Sequence, residues 1–199
     1  MNKKNLITIA AIIGITILFY SLTIKKDTRE PIIIKSNASY AEMSLDTLIN
    51  EADLIAIGNL DVVYPARWNT SDGKLSKGTT VNTITPDKVI FTDVNFSVDQ
   101  ILKGQSDQKT VRIRSLGGIV GQDQMIVSGV ASLETGKTYL LFLGRDTGST
   151  ADIDPGHYFV RGGLQGLYQI SDGKAISVKD EWQLEDLIIH IQNSLSQPP

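Results

Sequence analysis

The chain contains no cysteine. Disulfides, thiolate metal sites and a cysteine nucleophile are therefore excluded, although exported proteins with an adequate core also manage without cross-links, so the compartment stays open. Histidine is nearly absent as well, with only His157 and His190. Nothing pairs them at a ligand spacing such as H-x-x-x-H, and a serine triad would have to recruit one of the two. Both are read as non-catalytic surface or boundary residues. The sequence also has no G-x-S-x-G elbow and no G-x-x-x-x-G-K-[ST] phosphate loop. The glycines at 117, 118 and 121 lie between strand-like segments and suit sharp barrel corners. Basic excess is missing too. Residues 1–30 hold five basic and two acidic residues of the 19 and 22 in the chain, so 14 basic and 20 acidic residues remain. A net charge near −6 is unfavourable for a surface that tracks phosphates, and no nucleic-acid partner is expected.

What remains is a globular composition, 41% hydrophobic and 21% charged, with length for a real core. Residues 1–24 read as a transmembrane anchor or uncleaved signal. Lys3 and Lys4 precede Leu6–Ile24, nineteen residues without a charge, and Lys25 and Lys26 close the run. About nineteen residues at 1.5 Å each match a ~30 Å hydrocarbon core, and the small-residue cleavage match at 21–23 is poor. This predicts a single-pass protein of the cell membrane, in contact with lipid through residues 6–24, with its C-terminal domain outside the cytoplasm. A polar linker, 25–42, follows, in which Pro31–Ile34 supply a short edge strand. The domain proper is 43–199.

That domain is organised around Val89–Gly104. From Thr92, apolar Val94, Phe96 and Val98 alternate with Asp93, Asn95, Ser97 and Asp99, the period of a strand with one dry face. A strand of this length has to curve in a small domain, which predicts a barrel with Phe96 inside and the polar row outside. Before it, Ser44 caps a short helix with apolar residues at 45, 48, 49 and 52, and Leu54–Val63 reads as a strand with a bulge or close approach at Gly58. After it, Val111 and Ile113 alternate with Arg112 and Arg114. A short strand is expected at 125–128, and Thr138–Leu143 is a nearly continuous apolar strand buried on both faces. Short strands at 158–160, 167–171 and 175–178 include a hairpin at Asp172-Gly173. Asp180 is expected to cap a last helix, with Gln183 at the reciprocal capping position and an apolar stripe at 184, 187, 188, 191 and 195.

Few residues suggest chemistry. Asp146, Asp152 and Asp154 lie in a loop that could offer oxygen ligands to calcium, but EF-hand spacing is absent and turns use the same residues. No catalytic residue, metal site or cofactor is assigned. Tyr64–Asp87 is a long unpatterned connection, and Tyr64, Arg67 and Trp68 at its start combine the side chains that concentrate at binding hot spots. The alternative for Trp68 is that it folds back to cap the barrel.

The order of helix, A-D-L-I-A-I-G-N-L (52–60), long loop, V-N-F-S-V-D-Q-I-L-K-G (94–104), V-R-I-R (111–114) and E-T-G-K-T-Y-L-L-F-L (134–143) resembles the netrin-module and tissue-inhibitor-of-metalloproteinase type of OB-fold domain. It also resembles exported bacterial proteins of the same layout, with G-G-L-Q-G-L-Y (162–168) shared with the latter. The resemblance covers about residues 44–145. It implies a mainly β fold, an OB-like five-stranded Greek-key barrel, here with an N-terminal short helix, an extra C-terminal hairpin and a C-terminal helix. The inhibitors' free N-terminal cysteine has no counterpart, so that mechanism does not carry over. The expectation is a membrane-anchored, non-catalytic module that binds a protein at the cell surface. The alternatives are a metal-dependent hydrolase using the Asp146–His157 loop and a purely structural envelope protein.

Overall fold

A computed structural model describes residues 29–37, 40–76, 78–80, 82–83, 85, 88–131, 133–148 and 155–197. The anchor expected at 1–24 lies outside them. Among the described residues no helix is long and apolar enough to cross a membrane. The compact unit spans 31–199. Its elements in chain order are β1 (Ile33–Asn37), α1 (Leu45–Glu51), β2 (Leu54–Val63), β3 (Arg67–Trp68), β4 (Ile90–Lys103), β5 (Thr110–Leu116), β6 (Gly118–Val120), β7 (Asp123–Ser128), β8 (Thr138–Arg145), β9 (Tyr158–Val160), β10 (Leu167–Ser171), β11 (Lys174–Ile176), β12 (Glu181–Gln183) and α2 (Leu184–Ser196).

The protein is mainly β and its centre is a closed five-stranded barrel. Strands run in the order β8-β2-β4-β5-β9, and β9 pairs back to β8. The order β8-β2-β4-β5 is fourth-first-second-third along the chain, the arrangement of a Greek key. Alternation decides what lies inside. Leu54, Ala56, Leu60, Val94, Phe96, Val111, Ile113, Tyr139, Leu141, Leu143, Tyr158 and Val160 form one buried cluster from all five strands. The long strand β4 is accommodated by irregularities in β2, one of them between Ile57 and Gly58. A side chain at Gly58 would run into the Ser97 carbonyl and the Phe96 ring, so the expected close approach is present.

A second core lies on the outer wall of β2 and β8, extended by β10 and β11. Ile55, Ile57, Leu140 and Phe142 point outward there and meet Leu48, Ile49 and Ala52 of α1 and Leu187 and Ile191 of α2. The unbroken apolar run of β8 therefore serves two cores at once, as expected. Ser44 caps α1, its hydroxyl accepting the Thr47 N–H at 3.1 Å. Lys103 Nζ donates to the carbonyls of Ile49 and Asn50 at 2.7 and 2.8 Å, satisfying the helix's other end. Burial lowers the pKa of that amine, against the opposing pull of Asp53. The β10–β11 hairpin turns through Asp172 and Gly173, both at positive φ, as a two-residue turn of this handedness requires.

The start of α2 differs from expectation. Residues 181–183 form β12, paired with β11, and the helix opens at Leu184 with Gln183 in the cap position and no side-chain cap. Asp180 instead lies in a tight turn, accepting from the Ser177 hydroxyl at 2.8 Å. Pairing with β11 satisfies the backbone that a capping box would otherwise serve.

A separate three-stranded sheet, β1-β7-β6, packs a third cluster of Ile32, Trp68, Ile90 and Met125. Its strand β1 is the edge strand expected from Pro31–Ile34, shifted toward Asn37 and paired in parallel with β7. Buried Asp123 joins the parts: its carboxylate accepts the Ile32 N–H at 3.0 Å and the Trp68 indole N–H at 3.3 Å.

Candidate functional site

Tyr64 leaves the end of β2 with its N–H on the Asp93 carbonyl, and its hydroxyl accepts from Asn95 Nδ2 at 2.9 Å. The residue stays 42% exposed. Arg67 pairs with Phe91 across β3 and β4, lies 4.9 Å above the Phe91 ring and reaches Asp93 Oδ2 at 3.4 Å. Trp68, 1% exposed, belongs to the third core and cannot touch a partner. Two of the three residues singled out thus meet around Asp93 at the surface, and the third holds the loop's base down. Further along, Asp72 accepts the Lys74 N–H and the Thr70 hydroxyl, which hold its carboxyl below the usual carboxylate range and fix the turn expected at 71–73.

Asp93 needs a correction. Its row does face outward, but Asp93 itself is buried, and so is Arg114 directly opposite on β5. The guanidinium forms a two-pronged pair with the carboxylate, Nε to Oδ1 at 2.8 Å and Nη2 to Oδ2 at 2.9 Å, and stacks 3.6 Å above Phe91. A planar fork that fits both the carboxylate and the ring explains arginine here in preference to lysine. Alternation in the sequence assigns such a row to the outer side of a strand, but not what covers that side.

Beside this pair the barrel rim is apolar. A cleft of about 300 Å³ opens between Val63, Thr92, Leu116, Met125 and Val127. A second cleft, about 240 Å³, is lined by Tyr40, Ile113 and Phe159 among others. The two share Ser115, Leu116, Val130, Ala131 and Leu133 as walls. Val63 and Leu116 line the first cleft and are 45% and 40% exposed, while Val62 and Tyr64, 43% and 42% exposed, flank Val63 in the chain without lining it.

The Asp146–His157 loop makes a different surface. A polar groove of about 730 Å³ runs between the β4–β5 turn, Arg112, Arg145 and residues 155–158. His157 is not the surface or boundary residue expected: its side chain has no exposure, and its Nε2 lies 2.7 Å from Asp146 Oδ2. The pair ties the two ends of the loop together, and the Asp146 N–H also donates to the His157 carbonyl. No sequence signal brings them together, since the eleven-residue spacing becomes a contact only when β8 and β9 pair. His190 is a boundary residue as expected, 3.3 Å from Asp46 and with its ring tilted against Trp182 at 5.5 Å between centroids. Asp152 and Asp154 fall outside the described residues. Among the described residues no three His, Asp or Glu side chains are grouped to hold a metal ion.

Neither a family model nor a curated protein sequence matches this chain.

Proposed function

We propose that the protein is a membrane-anchored, extracytoplasmic, non-catalytic module that binds a protein through the barrel rim next to Tyr64. The carrying observation is the pair of exposed apolar side chains Val63 and Leu116 lining the 300 Å³ cleft, with exposed Val62 and Tyr64 next to Val63 in the chain. Apolar groups left in water around a concavity are stabilised by covering, and a tyrosine with one hydrogen-bonded end is a rigid anchor at small entropic cost. Arg67 lies beside them, in reach of a carboxylate on a partner. The reading also takes the barrel as OB-like, consistent with the Greek-key order and its parallel β5–β9 closure. In such barrels the face of the second and third strands and the loops flanking it commonly bind, and here those are β4, β5 and the 64–89 and 146–157 connections.

The test is crosslinking of the full-length chain in its native membrane, followed by Val63→Asp and Leu116→Asp. Each places a charge on the cleft rim, and recovery of the crosslinked protein should fall at least about tenfold. An Ile176→Asp control on β11 should leave it unchanged. Equal recovery from all three variants places the contact elsewhere.

A second reading, a metal-dependent hydrolase, is favoured by one observation only, the Asp146–His157 pair beside a polar groove. Thermal melts with calcium or zinc discriminate, since a metal held by the folded state raises the melting temperature. No shift removes the reading.

A further inference from the structure

The β1-β7-β6 sheet has apolar residues on both faces. One face carries Ile34, Met125, Val120 and Val127 into the third core. The other, by the alternation of each strand, carries Ile33, Lys35, Gln124, Ile126 and Ile119. Gln124 sits between Ile33 and Ile119, and Lys35 opposite Ile126. The three isoleucines are 52%, 45% and 62% exposed at positions 33, 126 and 119. A solvated sheet face normally alternates to polar residues, so three β-branched apolar side chains in one outward patch call for a cover.

The chain's own route indicates that cover. Eight residues, 25–32, separate the uncharged run 6–24 from the first residue of β1. Eight extended residues reach no more than about 29 Å. A globule of the length of unit 31–199 has a radius of gyration of about 15 Å, hence a diameter of about 40 Å. A tether shorter than the globule keeps the start of β1 out of the part of the globule farthest from the bilayer. The linker carries Lys25, Lys26 and Arg29 against Asp27 and Glu30, and Lys35 adds a further positive charge on the face itself.

We propose that the outer face of the β1-β7-β6 sheet seats on the phospholipid bilayer surface. Ile33, Ile119 and Ile126 enter the boundary between headgroups and acyl chains, while Lys35 meets lipid phosphate. The inference rests on residues 6–24 being a membrane anchor. Three isoleucines bind a bilayer weakly, but a short tether turns docking into an intramolecular event at roughly millimolar effective concentration, where weak affinity suffices. Docking fixes which side of the barrel faces away from the membrane.

The absence of cysteine makes the test clean, because Ile119→Cys, Ile126→Cys or Val178→Cys each supplies the sole thiol for an environment-sensitive fluorophore. Val178, 64% exposed between β11 and β12, is the control. The full-length labelled chain is reconstituted into vesicles of phosphatidylcholine and phosphatidylglycerol and isolated by flotation. Labels at 119 and 126 should shift to the blue and be quenched by nitroxide-headgroup lipid, while the label at 178 should not. Ile33→Ser with Lys35→Glu should reduce that shift at an unchanged melting temperature. Flotation with the label at 119 behaving like that at 178 overturns the docking and leaves the anchor intact. A blue shift that ignores lipid quencher and grows with protein density overturns it in favour of a second copy of the chain. Failure to float overturns the anchor and, with it, the docking.

Discussion

The two walls of the barrel are held by different physics. Where β2 and β8 face the helices, the contact is continuous hydrocarbon: Ile55, Leu140, Phe142, Leu187 and Ile191 have no exposure. Where β4 and β5 face the 64–89 connection, the buried groups include Asp93 and Arg114, with Phe91 under the guanidinium. The apolar wall tolerates exchanges of similar volume, since nothing in it is directional. The charged wall is directional and fails when one partner is removed. It is also the wall that adjoins Tyr64 and the rim cleft, so a geometrically exact pair supports the surface proposed to bind.

Four measurements would break or sharpen this contrast. Phe142→Ala, which empties the helix wall against Tyr168, should cost about 4 kcal/mol in a denaturant melt; a loss under about 1 kcal/mol would put that wall outside the cooperative core. Asp93→Ala should cost about 3 kcal/mol by leaving Arg114 charged and buried, whereas Asp93→Leu with Arg114→Met should come within about 1 kcal/mol of the parent. If the double variant is as damaged as the single one, the pair is not what distinguishes the wall. Lys103→Met, which uncovers the last carbonyls of α1 on the helix side, should cost about 1 kcal/mol. The smallest effect is one of pH. Burial, with the nearby Asp180 charge, pushes the Tyr168 hydroxyl well above its ordinary range. A raised folded-state pKa means that the stabilisation is complete below the unfolded value of about 10 and is lost as pH rises beyond it. Melts between about pH 9.5 and 11.5 should therefore decline more steeply for the parent than for Tyr168→Phe, and identical slopes would remove Tyr168 as the cause.

The same contrast governs how much could be read from the amino acids. Period two in Val94, Phe96 and Val98, the unbroken run of Thr138–Leu143, and the stripe at 184, 187, 188 and 191 all report apolar burial and pack where expected, whereas Leu195 at the stripe's end stays 37% exposed. Asp172-Gly173 and Ser44 report local backbone demands and are equally visible. Burial of polar groups leaves no such periodic trace. Asp93, Asp123 and His157 look like any surface residue until a partner from a distant strand is placed against them. Trp68 is legible in the sequence as part of the start of a long unpatterned connection, but its burial depends on Asp123, 55 positions away. The rim clefts depend on Val130, Ala131 and Leu133, which wall both of them and which no local pattern marks.

The barrel closes through β9, three residues that join β5 in parallel and β8 in antiparallel pairing. That closure has a consequence in time. Until residues 158–160 exist, β5 has a bare edge and the other four strands can form only an open curl. On the ribosome, a nascent chain that has synthesised Phe96, Ile113 and Leu141 has most of the interior in hand and no means of shutting it. The last fifth of the chain thus controls when the ring becomes a ring. Non-local closures of this kind set slow folding rates, and they leave an unpaired strand edge open to other chains while they wait.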